Sequence, residues 1–326
     1  SILVRVLAFG SGSVGQEFWN TAINKAWNLR NGLGVGPDRP TDCFRLINAE
    51  GDGLPGLIVD VYNTACVIQT HSAGMQQNID QILESLQQLD CIQFNTIYHR
   101  PASKGQPEFL LANETETEVS ENGMKLKVNW VEGQKTGFFL DQRDNRKLLG
   151  EMSKGRSVLN TFCYTGGFSV AALLGGATKV VSIDVSEPAI NMTDANCKLN
   201  NTDIERHKAL AIDTFEYLKN AGEFDIIVLD PPAFAKHQRK RHNAIQGYRR
   251  LNRAAMEKMR PGSFLFTFSC SQVVDSHQFE KAVMAAALDA RVNATILKRL
   301  GHGPDHPVNL FHPEGDYLKG LLLQLS

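Results

Sequence analysis

From about residue 141 the chain alternates short β-rich apolar runs with helical patterns, and this rhythm constrains the fold more than any other feature. Ser157–Asn160 reads as a strand followed by a helix from Phe168, and Lys179–Asp184 as a strand followed by a helix from Glu187. Ser186 is placed to cap that second helix, with Pro188 in its first turn. Ala209–Ile212, a helix near 214–220, a strand from Phe224 to Leu229 and another from Phe264 to Phe268 continue the pattern. Strands alternating with helices predict an α/β fold built on a doubly wound, Rossmann-like parallel sheet. Residues 306–325 read as two further strands around Asp316-Tyr317, and an antiparallel strand is common at the edge of such sheets.

The amino-terminal part has a different texture. Residues 2–9 read as a strand and 16–30 as a helix, with Phe18, Trp19, Ala22, Ile23 and Ala26 at helical spacing. A Gly/Pro-rich linker runs from Asn31 to Pro40. Short strands are expected over 44–70, a helix over 75–89, and strands near 94–99, 109–111 and 117–130. The domains read as 1–38, 39–112 (a small α+β unit), 113–140 (a β-hairpin connection) and 141–326.

Composition narrows the classes. The 326 residues are 42% hydrophobic, enough for a full core, and the net charge of −1 selects no partner. Six scattered cysteines without a Cys-x-x-Cys pair exclude a zinc or disulfide framework and read as free thiols in a reducing compartment. No apolar run reaches the roughly 18 residues of a membrane helix, and no charged leader with an apolar core opens the chain. A soluble cytoplasmic protein without membrane contact or metal is expected, with its start read as truncated.

In an open α/β sheet, ligands bind beyond the carboxyl ends of the strands. Phe162-Cys163-Tyr164-Thr165-Gly166-Gly167 follows the first strand, and its glycines let backbone approach a ligand closely. It lacks the three-glycine pyrophosphate spacing. Asp184 ends the second strand, where an acid suits a ribose diol, and Asp213 ends the third, where it could meet an adenine amino group. The plainer alternative is that both aspartates merely cap strand ends; three such features in succession favour a nucleoside site. Gly10-Ser11-Gly12-Ser13-Val14-Gly15 matches a dinucleotide fingerprint, but no second strand ending in an acid follows it, so it is set aside.

Two further strand ends face the same crevice. Asp230-Pro231-Pro232 is stiffened by prolines, each of which fixes φ. Cys270, between Ser269 and Ser271, places a thiol beside that carboxylate, and the pairing suggests covalent chemistry. The other five cysteines read as packing residues. Lys236–Arg253 then carries seven Lys or Arg and no acid. A charge run is usually a solvated face, but this one adjoins the site, and Lys236, Arg239, Lys240, Arg241, Arg249 and Arg250 are candidates for phosphate contact. Tyr248 within it is expected to pack inward rather than stack on a base.

The chain resembles the bacterial large-subunit ribosomal RNA cytosine-5 methyltransferases of the methyltransferase I type, a class I S-adenosylmethionine-dependent family. The resemblance covers nearly the whole length. It rests on Arg45–Asp60, Gln134–Arg143, Asn160–Phe168, Asp230-Pro231-Pro232, Ser269-Cys270-Ser271 and Asp305-His306-Pro307-Val308. It implies that Thr136, Phe139, Asp141 and Arg143 lie over S-adenosyl-L-methionine and that Phe162, Tyr164, Thr165 and Gly166 hold its methionine end. Asp184 would take the ribose, Asp213 the adenine, and Cys270 would be the nucleophile, with Asp230 assisting and RNA as partner. The oligomeric state, a homodimer included, is left open.

Two departures stand out. Members usually begin with a complete PUA RNA-binding domain, of which only a remnant is read here. Many RNA cytosine-5 enzymes also carry a second cysteine where this chain has Pro232. An amine-methylating enzyme is expected to carry an aromatic after the second proline, and Ala233 stands there. The rivals are guanine or amine methylation on the same scaffold, and a non-catalytic RNA-binding assembly factor.

Overall fold

The computed structural model describes residues 4–8, 12–101, 105–235 and 237–326. It divides into two compact units, Ser1–Asp141 with Gly303–Gly315, and Gln142–His302 with Asp316–Ser326.

In the first unit, α1 (Gln16–Gly32) buries Trp19, Ile23, Ala26 and Trp27, the apolar stripe expected from the 3.6-residue period. These residues join Phe44, Leu46, Val59 and Ile68 in one core. β1 (Cys43–Asn48), β2 (Leu57–Tyr62) and β3 (Ala65–Thr70) form an antiparallel meander. α2 (Ala73–Gln77) and α3 (Ile79–Gln87) then carry the chain to β4 (Thr96–His99), which lies parallel to β3, and β5 (Glu108–Leu111) closes the sheet. The single helix expected over 75–89 is thus two. Asn78 breaks it, holding a non-helical ψ of 16° while its side-chain amide donates to Gly74 O at 2.7 Å. β6 (Glu116–Glu121) and β7 (Met124–Asn129) form a hairpin. Its Asn122-Gly123 turn has φ of 51° and 81°, the left-handed pair that a tight hairpin requires.

The strand expected over 2–9 does not form in the described residues 4–8. Val4 and Val6 are largely exposed there, and a strand without a partner has nothing to stabilise it. The Gly10–Gly15 motif lies partly outside the described residues.

The second unit holds α4 (Arg143–Met152), β8 (Ser157–Thr161), α5 (Gly167–Leu174), β9 (Lys179–Asp184), α6 (Glu187–Leu199), β10 (His207–Ala211), α7 (Thr214–Asn220) and β11 (Phe224–Leu229). It continues with α8 (Arg241–Met256), β12 (Met259–Ser269), α9 (Ser276–Ala290), β13 (Ala294–Leu300) and β14 (Lys319–Leu325). The seven strands run in the order β10-β9-β8-β11-β12-β14-β13. The first five are mutually parallel, and β14 is antiparallel to both its neighbours. The Ser186 hydroxyl caps α6 by accepting Ala189 N–H, with proline in the first turn, as the sequence predicts.

The expectation of two strands within 306–325 needs correction. The antiparallel pair is β13 with β14, and residues 306–318 contain no strand. Gly303–Gly315 instead joins the first unit. There Asp305 O accepts from the buried Arg30 guanidinium at 2.9 Å, Asp305 Oδ2 accepts Arg45 N–H at 3.1 Å, and Pro307 O accepts from the Asn48 amide at 3.0 Å. These contacts use backbone groups that a ladder would need.

Among the described residues, no helix is long and apolar enough to cross a membrane.

Candidate active site

Strand order reverses between β8 and β11. The chain works outward from β8 through β9 to β10, then returns to place β11 and β12 on the other side. The register aligns Thr161 with Ile183 and with Leu229, and Leu229 with Thr267, so the carboxyl ends of these strands are level. A crevice opens at such a switch point, and the loops there are where this fold binds ligands.

The β8–α5 loop is held in unusual backbone geometry. Phe162 and Tyr164 have φ of 54° and 50°, and Gly166 has φ of 81°. Side chains seldom tolerate this region, and such residues cluster where a site demands them. Two neighbours hold the loop. The Asp184 carboxylate, at the end of β9, accepts Tyr164 N–H and Ser186 N–H, each at 3.0 Å. The Thr193 hydroxyl on α6 donates to Tyr164 O at 2.9 Å. Gly166 packs so closely that a Cβ there would lie 2.5 Å from Thr193 Cγ2. Asn196 on α6 donates to Thr165 O at 2.8 Å.

Each oxygen of Asp184 keeps a second acceptor site after taking one backbone donor, and the residue is half-buried. Thr165 Oγ1 and Asn160 Oδ1 are buried with no hydrogen-bond partner. Unmet polar atoms beside a part-exposed carboxylate and a helix start suit a polar ligand with hydroxyl donors and an anionic end. Asp213 takes a different position. It is exposed and caps α7, its Oδ1 accepting Glu216 N–H at 3.0 Å.

On the other side of the switch point, Asp230 follows β11. Its Oδ2 accepts from the Gln142 amide at 3.0 Å, and Gln142 Oε1 accepts from the Asn145 amide at 2.6 Å. Asn145 also donates to Gly301 O at 3.0 Å. Gln142 and Asn145 are buried at the start of α4. Sequence reading assigned them no role; the available signal was two amides three residues apart at a helix start.

Cys270 follows β12 and is partly exposed, its Sγ 3.9 Å from Pro231 O. The turn around it is fixed. Ser271 Oγ donates to Ala235 O at 2.8 Å, and both flanking serines are buried. The other cysteine near the site, Cys163, is buried, and burial pushes its thiol up to about 12. Burial pushes Cys197 up to about 12 as well. Such thiols are inert near neutral pH. Cys43 and Cys66 are buried too, whereas Cys91 is exposed, so packing accounts for four of the remaining five.

The basic stretch divides in two. Arg239, Lys240, Arg241 and Arg250 are exposed. Arg249 instead makes a two-pronged ion pair with Asp289 of α9, at 2.6 and 2.7 Å, and Arg253 pairs with Glu257 at 2.7 Å. Lys236 lies outside the described residues. Tyr248 is fully buried between Phe234 and Phe279, as expected.

Thr136, Phe139 and Asp141 belong to the first unit and Arg143 to the second. The Thr136 hydroxyl donates to Asp60 Oδ2 at 2.6 Å and lies 3.0 Å from Tyr62 OH. The Lys135 ammonium lies 4.5 Å from the Phe139 ring centre and 3.6 Å from Asp141 Oδ2. Arg143 opens α4 beside Asp144 at 3.4 Å.

A doubly wound sheet in this strand order, with acids ending its strands beside a glycine turn, has the architecture of the α/β class that binds ligands at a switch point. The family described as S-adenosylmethionine-dependent methyltransferase matches residues 86–309. A Photobacterium profundum relative named ribosomal RNA large subunit methyltransferase I is 40% identical, over 98% of this chain and 83% of its own. One of the same name from Tolumonas auensis is 41% identical over 86% and 74%. The chain therefore belongs to the S-adenosylmethionine-dependent methyltransferases, in the family of the ribosomal RNA large subunit methyltransferase I proteins. A solved methyltransferase from Streptococcus mutans superposes with a TM-score of 0.86 at 25% identity, covering 97% of this chain and 83% of that one. Another, complexed with SAH, matches equally well.

Proposed function

We propose that this protein methylates carbon 5 of a cytosine in large-subunit ribosomal RNA, with Cys270 as the nucleophile. The observation that carries the reading is the placement of a part-exposed thiol and a carboxylate, Cys270 and Asp230, at adjacent strand ends beside the Asp184-anchored loop. The names of the relatives supply the RNA.

The bound cofactor supplies an electrophilic methyl group on a sulfonium. Phe162, Tyr164, Thr165 and Gly166 hold its methionine end, with the amino terminus of α5 favouring the carboxylate. Asp184 takes the ribose hydroxyls, Asp213 faces the adenine side, and Arg143 closes over it. Carbon 5 of cytosine is a poor nucleophile. Addition of the Cys270 thiolate to carbon 6 makes carbon 5 enamine-like, so that it can take the sulfonium methyl as the S–CH3 bond breaks and S-adenosylhomocysteine leaves. Asp230 accepts from the exocyclic amine and the protonated ring nitrogen, stabilising the charge that develops as the adduct forms. Gln142 and Asn145 hold that carboxylate in place. Loss of the carbon-5 proton to solvent water then expels Sγ as the thiolate and restores the ring. The target base must be unpaired or flipped out, and the exposed Arg239, Lys240, Arg241 and Arg250 contact its phosphates.

The test supplies methyl-labelled S-adenosylmethionine and unmodified large-subunit RNA, then identifies the labelled nucleoside. Label is expected in 5-methylcytosine, with Cys270→Ala losing at least roughly a thousand-fold in rate. Label in guanosine or in an amine position discards Cys270 as nucleophile, and RNA binding without turnover favours the assembly-factor role.

A further inference from the structure

Lys319 opens β14 opposite Ser269, the last residue of β12. The residue is only 7% exposed, on a strand otherwise made of Gly320 and apolar leucines with Gln324. Its ammonium donates to Ser271 O at 2.9 Å and makes no other hydrogen bond or ion pair among the described residues. A buried ammonium is costly, and it carries three donors. A methionine would fill the same space without that cost, so the charge calls for a task beyond packing.

The place of the ammonium supplies one. Lys319 stands opposite Ser269 and bonds the carbonyl of Ser271, bracketing Cys270 between them. We propose that Lys319 is the positioning cation that keeps Cys270 as a thiolate, ready to add to the base. The proton leaves Sγ for solvent, and the ammonium holds the sulfur anion by Coulombic attraction and fixes the turn that carries it. The proposal rests on the reading of Cys270 as nucleophile.

The charges around the pair act in both directions. Burial pulls Lys319 below the ordinary ammonium value, while Asp316, Cys270 and Asp275 pull it back up. Tyr248 on α8 faces both Cys270 and Asp230. Of these groups, Asp230 after β11, Asp275 capping α9 and Asp316 before β14 are acids that favour the neutral thiol, and Lys319 carries the positive charge. An opposite charge within about 4–6 Å favours the ionised form by roughly one to three pH units.

The experiment follows alkylation by iodoacetamide against pH, on the full chain without cofactor or RNA, resolving the Cys270 peptide by mass spectrometry. In the wild type the rate midpoint is expected below the free-thiol value of about 8.5. Lys319→Met should move it up by at least about one pH unit and slow alkylation near pH 7 roughly ten-fold. Lys319→Arg should restore most of the loss, and the exposed Cys91 serves as the internal control. An unchanged midpoint in a natively folded Lys319→Met overturns the proposal. So does a wild-type midpoint at or above about 8.5, which decides the matter even where the variant fails to fold. Methyl transfer retained by Cys270→Ala breaks the nucleophile reading instead. Loss there with an unmoved midpoint in Lys319→Met breaks the role of Lys319 alone.

Discussion

At the scale of single residues, Asp184 anchors the loop and, in the proposed site, also meets the cofactor, so one atom change tests both. Both its oxygens accept backbone N–H groups, from Tyr164 and from Ser186. Asparagine offers one acceptor and turns an amide N–H₂ toward the other donor. Asp184→Asn should therefore destabilise the protein by about 1–3 kcal/mol, the usual range for a part-buried donor left unmet. It should also weaken S-adenosylhomocysteine binding at least roughly ten-fold, as one bond to a charged group is lost. Calorimetric titration and urea unfolding read the two effects, and unchanged affinity would remove Asp184 from the cofactor site. Gly166→Ala tests the loop itself. A methyl at φ 81° meets Thr193 at 2.5 Å, so a loss of roughly 1–3 kcal/mol is expected on urea unfolding. Asp184, Asp230 and Cys270 were legible in the sequence because each ends an apolar run with an uncharacteristic polar group. Gln142, Asn145 and Lys319 were not, because their meaning lies in partners far along the chain, at Asp230, Gly301 and Ser271.

At the scale of elements, a buried polar chain ties β8, β9 and β10 together. Asn160 donates to Ser169 Oγ at 2.8 Å, Ser169 lies 2.6 Å from Ser182 Oγ, and Ser182 lies 2.8 Å from His207 Nε2. Burial holds His207 below the ordinary imidazole value, with Asp194 pulling the other way. Below an unfolded value of about 6.5 the unfolded chain takes up a proton that the native imidazole resists, so stability is full above that pH and falls as pH drops through it. Urea midpoints taken from pH 7.5 down to 5.5 (values on the order of the imidazole range) should fall more steeply for wild type than for His207→Gln, and parallel slopes would show the ring to be uncoupled. The basic stretch teaches the limit of reading charge from sequence. It counted seven cations, yet Arg249 and Arg253 are neutralised by Asp289 and Glu257. Replacing Arg239, Lys240 and Arg241 by glutamine should lower the slope of log affinity for RNA against log salt by roughly two to three, each phosphate contact being worth about 0.7–0.9. Arg249→Gln should leave that slope unchanged.

At the scale of the molecule, the alternation of strands and helices announced the doubly wound sheet; β8, β9 and β11 fall where period and punctuation place them, whereas β10 begins two residues earlier than expected and β12 five. The passage of Gly303–Gly315 into the first unit was hidden. Its anchors are the carbonyls of Asp305 and Pro307 and the Asp305 carboxylate, whose partners Arg30, Arg45 and Asn48 lie far back along the chain, and its apolar Val308, Leu310 and Phe311 imitate a strand. Leu310 and Phe311 are in fact among the most exposed apolar side chains described. The cofactor gives a test of how far the site governs the whole. A ligand that binds only the native state stabilises it by about 2.7 kcal/mol at one hundred times Kd. For a unit of this size each kcal/mol raises Tm by roughly 2–4 °C, so saturating S-adenosylhomocysteine should raise the transition of the second unit by about 5–10 °C. Cys270→Ala should keep that shift, since its proposed role is toward the base, while the roughly ten-fold weaker binding of Asp184→Asn should cost about half of it at the same ligand concentration. Equal shifts in wild type and Asp184→Asn would place the ligand away from the β9 end and with it overturn the assignment of the crevice.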